Sequence, residues 1–391
     1  MAKIAILGFG TVGSGVYEVL CHNAASVSRR AGEPVEVKYI LDPKDFTGNP
    51  VEPLVVKNID VILQDPEIRV VVETIGGTRF AYPYVKACLE SGRSVCTSNK
   101  EMVATYGAEL LGLAKAHNCA FLFEASVGGG TPIITPMHQC LAANVITEVE
   151  GIVNGTTNFI MDAMARQGAD FPAVLQRAQE LGYAEADPSA DIDGDDIRRK
   201  LTISANIAFD ALLREEDIPA FGIRTVTGAD VADFRAHGFT CKLLACAQRT
   251  ETGVAAYVEP ALVAEGEPEA AVPGNYNLIS CTGELLGRQS YFGQGAGRYP
   301  TAANVVQDCL DLLTGEDGFY TETARPMAVE ADAVAHPYYV RTQGADPWLK
   351  SVTADRWAGG VITGAVPVGQ MLRWAAAQRQ RDPGCFVAGI R

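Results

Sequence analysis

Histidine is scarce in this 391-residue chain: there are five copies, none beside another and none beside a cluster of acids. A histidine-built metal centre or catalytic dyad is therefore not expected. The ten cysteines include no Cys-x-x-Cys pair, and several lie in apolar runs such as "SVCTS" and "NCAFLFE". They read as reduced, mostly buried thiols. Basic residues are outnumbered, 32 Lys and Arg against 47 Asp and Glu, for a formal charge of −15. A nucleic-acid partner calls for the opposite balance and is not expected. No apolar run approaches the roughly 20 residues of a membrane span, so no membrane association is expected. The start, "MAKIAILGFG", reads as a short strand and lacks the apolar core and cleavage site of a signal peptide. The expected location is cytoplasmic. No repeat or low-complexity tract is visible.

What the chain does have is rhythm. Length alone predicts two or three domains. Apolar runs at 3–7, 35–41, 68–75, 94–98 and 120–126 alternate with helical segments over 80–91 and 101–117. That alternation predicts an α/β fold, a doubly wound parallel sheet of Rossmann type. After residue 130 the pattern changes to helices over 157–167 and 171–181, a helix opening at Asp195 or Asp196, and paired strands around 240–264. The expected organisation is a nucleotide-binding domain over 1–130, with 300–320 returning to it. An α+β substrate-binding and dimerisation domain is expected over 131–299, and a small tail over 335–391. About 55 residues is a small core, so the tail is expected to dock on its own chain or on a partner.

"KIAILGFGTVGSG" puts Gly-x-Gly-x-x-Gly at Gly8, Gly10 and Gly13, after a buried strand and before a helix. Glycines there let the backbone approach a pyrophosphate, and the helix N-terminus offers N–H donors and positive potential. Phe9, Thr11 and Val12 complete the turn. Asp42 ends the second strand, where an acid accepts from a ribose 2′-OH. Lys44 and Lys57 follow, where a cation meets a 2′-phosphate. NAD and NADP both stay open. "GGT" (76–78) and "TSNK" (97–100) fall at strand ends, where ligands of such sheets bind.

"AEADPSADIDGDDIRRK" (184–200) carries six carboxylates in seventeen residues. A calcium loop counted from Asp191 fails, because its glycine comes too early and Thr202 stands where a glutamate belongs. The cluster lies at a helix start, with Asp196 and Lys200 four apart on one face. It reads as a preorganised polar site rather than a solvated surface.

The run Ala178…Gly182-Tyr183-Ala184…Asp187-Pro188…Asp191-Ile192…Gly194…Asp196…Lys200 resembles the signature of the homoserine dehydrogenase family, with every fixed position filled. "GFGTVG", "VVETIGG", "TSNKEMVA", "EASVGGGTPII", "NGTTNFI" and "GQGAGRYPTA" fall in the family's order across about residues 1–320. The resemblance implies interconversion of L-homoserine and L-aspartate 4-semialdehyde with NAD or NADP, in threonine and methionine biosynthesis. It implies Lys200 as proton donor, and Lys100 beside the nicotinamide and the reacting oxygen. Glu185, Asp191, Asp196 and Tyr183 would hold the substrate's ammonium and neighbouring polar atoms, and Gly155 and Thr156 its carboxylate. Thr74, Gly76, Asn99, Gly182, Glu185, Gly295 and Gly297 join the cofactor set. "EASVGGGT" resembles a monovalent-cation loop for Na⁺ or K⁺, with Glu124 near the ion and carbonyls of Val127, Gly129 and Thr131 around it. A plain tight turn is the alternative. The tail resembles a shortened ACT-type regulatory domain beginning at "YYVR", with "GADPWLKSVTADRW" where a helix and glycine loop usually follow. A dimerisation or lid role is the alternative there. A homodimer or higher homo-oligomer is expected.

The residue types suit this chemistry. A zwitterionic substrate needs an acid for its ammonium and N–H or hydroxyl donors for its carboxylate. Hydride transfer needs no metal when a cationic donor stands at the carbonyl oxygen. A free lysine has a pKa of about 10.4, and Asp196 favours its charged form, so Lys200 suits donation in the reductive direction. Lys100, with fewer acids near it in sequence, is the expected proton acceptor for oxidation. Three rivals remain. Aspartate-semialdehyde dehydrogenase chemistry needs an activated cysteine, which Cys96 and Cys119 do not offer. The others are an oxidoreductase for another amino-acid alcohol and a non-catalytic NAD(P)-binding sensor.

Overall fold

A computed structural model describes residues 1–141, 143–315 and 324–391. It divides into two units, residues 1–139 with 294–324 and residues 140–293 with 325–391.

The first unit is built on a six-stranded sheet. Its strands are β1 (Ala2–Leu7), β2 (Val35–Leu41), β3 (Val55–Val56), β4 (Ile68–Glu73), β5 (Ser94–Thr97) and β6 (Phe121–Leu122), in the order β3-β2-β1-β4-β5-β6. Every neighbouring pair is parallel. That is the Rossmann order, and its switch point lies between β1 and β4. The central strands are buried on both faces, as Ile4, Ala5, Ile6, Leu7, Val71 and Val72 show, which explains their unbroken apolar runs.

Helix Arg298–Thr314 returns to this unit against helix Thr11–His22: a Cβ on Gly15 would lie 2.9 Å from the Arg298 carbonyl oxygen. The unit boundaries fall at 139/140 and 293/294, where 130/131 and 299/300 were expected. Two ties account for the difference. Glu124 holds the start of helix Ile134–Leu141, and Gly130 N–H donates to the Gln294 carbonyl at 3.0 Å.

The second unit carries a mixed sheet. Its strands are β7 (Ile146–Ile152), β8 (Phe239–Arg249), β9 (Gly253–Ala264), β10 (Tyr276–Gly283), β11 (Gly287–Gln294), β12 (Ala328–Val329), β13 (Ala335–His336), β14 (Tyr338–Arg341), β15 (Thr353–Arg356), β16 (Val361–Thr363), β17 (Val366–Pro367) and β18 (Phe386–Ile390). The main order is β11-β10-β7-β8-β9-β18-β14-β16-β15; β12 pairs β9 and β13 pairs β17 aside from it. The tail is therefore no separate body. Its last strand pairs in parallel with β9, Gly389 opposite Ala261 and Ile390 opposite Leu262. From Tyr338 on, the succession is strand, helix Pro347–Val352, three strands, helix Val368–Arg379 and strand; the last of the three, β17, pairs β13 aside from the main sheet.

Helix Asp195–Phe209 ends where Asp210 takes a left-handed backbone, φ +52°. Among the described residues, no helix is long and apolar enough to cross a membrane.

Candidate active site

In the first unit the glycine turn sits at the switch point. Gly8 has φ +88°, a conformation that glycine adopts without strain. A Cβ on Gly13 would lie 2.0 Å from the Gly8 carbonyl oxygen and 2.7 Å from Thr74 Oγ1. Gly13 is thus required for the helix to pack on the turn. Gly10 is different. A Cβ there would meet nothing within 4 Å, nor would one on Gly76 or Gly77. The backbone at the N-terminus of helix Thr11–His22 and in the 76–77 turn faces open space. That is the cradle a dinucleotide's phosphates require, and the residues fit the group.

The acids and hydroxyls around the turn are structural braces. Asp42 is buried; its two oxygens accept from the N–H groups of Phe9 and Lys44, each at 2.8 Å. Thr74 Oγ1 donates to the Gly8 carbonyl at 2.8 Å. Lys57 Nζ donates to the Lys44 carbonyl and pairs with Asp45 at 3.1 Å. Lys44 itself is exposed, as is Thr11, while Val12 is half-buried.

Glu73, at the end of β4, was not anticipated from sequence. It is fully buried; Oε1 accepts from Ile75 N–H at 2.6 Å and Gly76 N–H at 3.3 Å, and Oε2 from Thr97. Burial raises its pKa, against the pull of these donors. Asn99 ties the next loop to the same place. Its Nδ2 donates to the Gly77 carbonyl at 2.6 Å, and its Oδ1 caps helix Lys100–Ala116 by accepting from Met102 N–H at 3.1 Å. Lys100 is therefore the first residue of a capped helix. An acid closing the apolar run "VVV" of this strand was the available signal for Glu73.

Glu124 has a structural role that its sequence context did not show. Its carboxylate accepts from Ile133 at 2.6 Å, Ile134 at 3.0 Å and Thr135 at 2.6 Å, capping helix Ile134–Leu141. Its own N–H donates to buried Asp308 at 2.9 Å, whose pKa burial and the Glu124 charge push well up. The Gly129 carbonyl accepts from Asn304 Nδ2 at 2.8 Å. Thr131 Oγ1 is buried with no hydrogen-bond partner among the described residues, and Val127, four residues earlier, is buried. Gly295 and Gly297 lie on the facing turn: a Cβ on Gly129 would fall 2.3 Å from the Gly295 carbonyl oxygen, and Gly297 has φ +121°.

In the second unit, polar groups from three segments meet at the head of helix Asp195–Phe209. Gly194 opens it with φ +95°. One turn in, Asp196 and Lys200 pair at 2.9 Å, both buried. Lys200 Nζ also donates to the Val153 carbonyl at 2.7 Å. Asn154, not anticipated from sequence, joins the set. Its Nδ2 donates to Asp196 Oδ2 and to Asp191 Oδ1, each at 2.8 Å, and its Oδ1 accepts from Thr157 N–H at 2.8 Å. Asn154 thus caps helix Gly155–Gln167 and binds both acids. The asparagine before "GTT" carried that signal.

At the same helix start, the N–H groups of Gly155 and Thr156 lack an intrahelical acceptor by helix geometry. Thr156 Oγ1 donates to the Tyr183 carbonyl at 2.5 Å. Of the six acids, Asp191 and Asp196 turn into the cluster. Asp195 pairs with Arg198 at 2.8 Å, and Asp193 with Arg224 at 2.6 Å. Glu185, Gly182 and Tyr183 stand exposed on the preceding loop.

The Arg224 segment braces the acidic loop through Ile223 N–H to the Ile192 carbonyl, 2.8 Å. The tail grips that segment in turn: Arg341 Nη2 donates to the Thr225 carbonyl at 2.6 Å.

Comparison with known proteins agrees with this geometry. Residues 8–124 match the family model described as homoserine dehydrogenase, NAD binding domain, and residues 132–310 match the model described as homoserine dehydrogenase. A homoserine dehydrogenase of Pseudomonas aeruginosa is 40% identical over 88% of this chain and 82% of its own. The crystal structure of a homoserine dehydrogenase from Thiobacillus denitrificans superposes with a TM-score of 0.88 at 32% identity, covering 100% of this chain and 98% of that one. A hyperthermophilic archaeal homoserine dehydrogenase in complex with NADPH gives 0.68 at 27% identity, covering 80% of this chain and 98% of that one.

Proposed function

The chain belongs to the homoserine dehydrogenase family, NAD(P)-dependent oxidoreductases acting on a CH–OH group, and from that premise we propose how its residues divide the work of interconverting L-homoserine and L-aspartate 4-semialdehyde. The observation that carries the reading is the buried Asn154–Asp191–Asp196–Lys200 network at the head of one helix.

Asp191 and Asp196 hold the substrate ammonium, with Glu185 and Tyr183 closing from the exposed loop. The N–H groups of Gly155 and Thr156 hold its carboxylate, where the helix dipole favours an anion. Lys200 keeps its proton on Nζ, because the carboxylate of Asp196 at 2.9 Å favours the ammonium. It gives that proton to the aldehyde oxygen in the reductive direction. Lys100 accepts the hydroxyl proton in the oxidative one. When bound, the nicotinamide supplies or accepts the hydride at the carbon bearing that oxygen. Gly8, Phe9, Gly10, Thr11, Val12 and Gly13 hold its pyrophosphate. Thr74, Gly76, Asn99, Gly182, Gly295 and Gly297 complete the cofactor's surroundings.

Both nucleotides are accepted on this reading, with NADP favoured. Asp42 already accepts two backbone N–H groups, Lys57 is engaged, and Lys44 is exposed for a 2′-phosphate. A monovalent cation fits the 127–131 loop through the unpartnered Thr131 Oγ1 and nearby carbonyls, with Glu124 acting as a helix cap. Counting the strands of the main sheet alone, with β17 aside, the tail runs strand–helix–strand–strand–helix–strand with sheet order β18-β14-β16-β15, which supports an ACT-like module. We place the chain in the cytoplasm as a homodimer joined through the edge strand β11, beside exposed Leu285, Leu286 and Phe292.

Homoserine-dependent reduction of NADP⁺ and NAD⁺, followed side by side by absorbance with and without K⁺ and Na⁺, tests the activity. Turnover with both, faster with NADP⁺ and raised by the ions, is expected. No turnover with either returns the weight to another amino-acid alcohol or to a nucleotide sensor. Lys100→Met and Lys200→Met then test the proton roles: if homoserine oxidation survives Lys100→Met, the acceptor assignment is wrong.

A further inference from the structure

Lys242 lies on β8 and is fully buried. The mechanism above does not use it. Its Nζ donates to Asn158 Oδ1 and to the Val272 carbonyl, each at 2.8 Å. Both acceptors are neutral. A buried ammonium without a carboxylate against it is costly, so this position calls for an explanation.

The neighbours supply one. Asn158 is in the first turn of helix Gly155–Gln167, three residues beyond Gly155. Its Nδ2 faces the Val272, Gly274 and Tyr276 carbonyls at 3.3, 2.8 and 3.2 Å. Gly274 N–H donates to Asp162 on the same helix at 2.9 Å. A Cβ on Gly155 would lie 2.7 Å from the Asn275 carbonyl oxygen. The 272–276 segment and the head of the helix are one hydrogen-bonded body, with Lys242 at its centre. A cation near the positive end of a helix is opposed by the dipole. Its sign becomes favourable once an anion docks at that end.

We propose that Lys242 is a positioning residue for the substrate carboxylate: it knits the 272–276 segment to the helix head, and its fixed positive charge behind that head strengthens binding of the carboxylate at Gly155 and Thr156. This rests on the carboxylate assignment made under the proposed function.

Burial pulls the Lys242 amine down to about 8; Asp162 and Cys241 push it up again and Arg166 pulls it further down. A neutral amine keeps two N–H donors, so both hydrogen bonds survive deprotonation while the charge is lost. Affinity for the carboxylate therefore falls as pH rises through about 8. Stability moves the other way. Above that pH the unfolded lysine binds the proton that the folded one has lost, so the group's contribution to stability grows with pH. Loosening of the fold by this residue does not produce the same signature.

The test follows inhibition of homoserine oxidation by 4-hydroxybutyrate, which has the carboxylate but no titrating amine, in the full-length protein from pH 7 to 9. The inhibition constant is expected to rise about five- to tenfold, with its midpoint near 8. Asp162→Asn keeps an acceptor for Gly274 and removes the opposing charge, so the midpoint moves down. Lys242→Met raises the constant at pH 7 to the high-pH level and flattens the profile, while KM for the nucleotide stays unchanged. A profile flat in the parent chain, or unmoved in Asp162→Asn, overturns the proposal even if Lys242→Met does not fold. Absence of homoserine turnover at every pH instead removes the functional reading, and this inference with it.

Discussion

In the nucleotide-binding unit the polar side chains turn inward to hold the backbone: Asp42 grips Phe9 and Lys44, Thr74 grips Gly8, and Glu73 grips Ile75 and Gly76. In the second unit the polar side chains grip one another, Asn154 with Asp191 and Asp196, and Asp196 with Lys200. The first arrangement leaves backbone N–H groups and open space as the working surface. The second leaves charged side chains as the working surface. The first should therefore respond to added atoms, and the second to removed ones.

Lys200→Met is the largest removal. It takes away the proton held at Nζ and leaves Asp196 buried without its cation. Turnover with homoserine should fall by about 10²–10⁴-fold, while nucleotide binding, followed by NADPH fluorescence, stays within twofold of the parent. Equal losses in both would mean that Lys200 holds the fold. Asn154→Ala comes next. It removes the donor shared by two carboxylates and the cap of helix Gly155–Gln167, each an effect of about 1 kcal/mol or more. KM for homoserine should rise about tenfold or more, with the melting temperature lowered. A rise in nucleotide KM alone would count against the cluster as the substrate site.

Additions sharpen the other side. Gly13→Ala puts a Cβ 2.0 Å from the Gly8 carbonyl oxygen, so both the melting temperature and nucleotide affinity should drop. Gly10→Ala meets no protein atom within 4 Å and its φ of −81° suits alanine. Its melting temperature should match the parent, while nucleotide KM rises about tenfold from intrusion where phosphate approaches. If Gly10→Ala keeps parental nucleotide KM, the open space at Gly10 is not the phosphate cradle.

The same contrast decides what could be read from sequence. The glycine turn, its strand and its helix are contiguous, so their spacing carried the site directly. The pair Asp196 and Lys200, four apart on a helix, was legible for the same reason. Asn154 was not, because its role depends on a register that brings the start of helix Gly155–Gln167 beside a helix more than forty residues later. Glu73 was hidden as one acid at the end of an apolar strand. The resemblance placed Glu124 near an ion, but its capping role was not legible, because the helix it caps begins ten residues on, at Ile134. The tail was hidden in another way. Its small size suggested docking on its own chain or on a partner, but not that β18 would pair β9 and extend the second unit's sheet. Strand pairing between segments so far apart in sequence leaves no local signature.

Lys44→Ala is the smallest of the expected effects and the most specific. Asp42 is the residue that sequence reasoning sets against a 2′-phosphate, but its oxygens already accept Phe9 and Lys44 N–H groups. Those contacts come from the backbone, so the alanine variant preserves the one at residue 44. Only the exposed ammonium is lost. An exposed charge facing a phosphate contributes about 1 kcal/mol or less, so KM for NADP⁺ should rise about three- to fivefold, less in high salt. KM for NAD⁺ should stay unchanged, because the 2′-hydroxyl carries no charge. Equal changes for both nucleotides would place Lys44 away from the 2′ position and return the discrimination to Asp42.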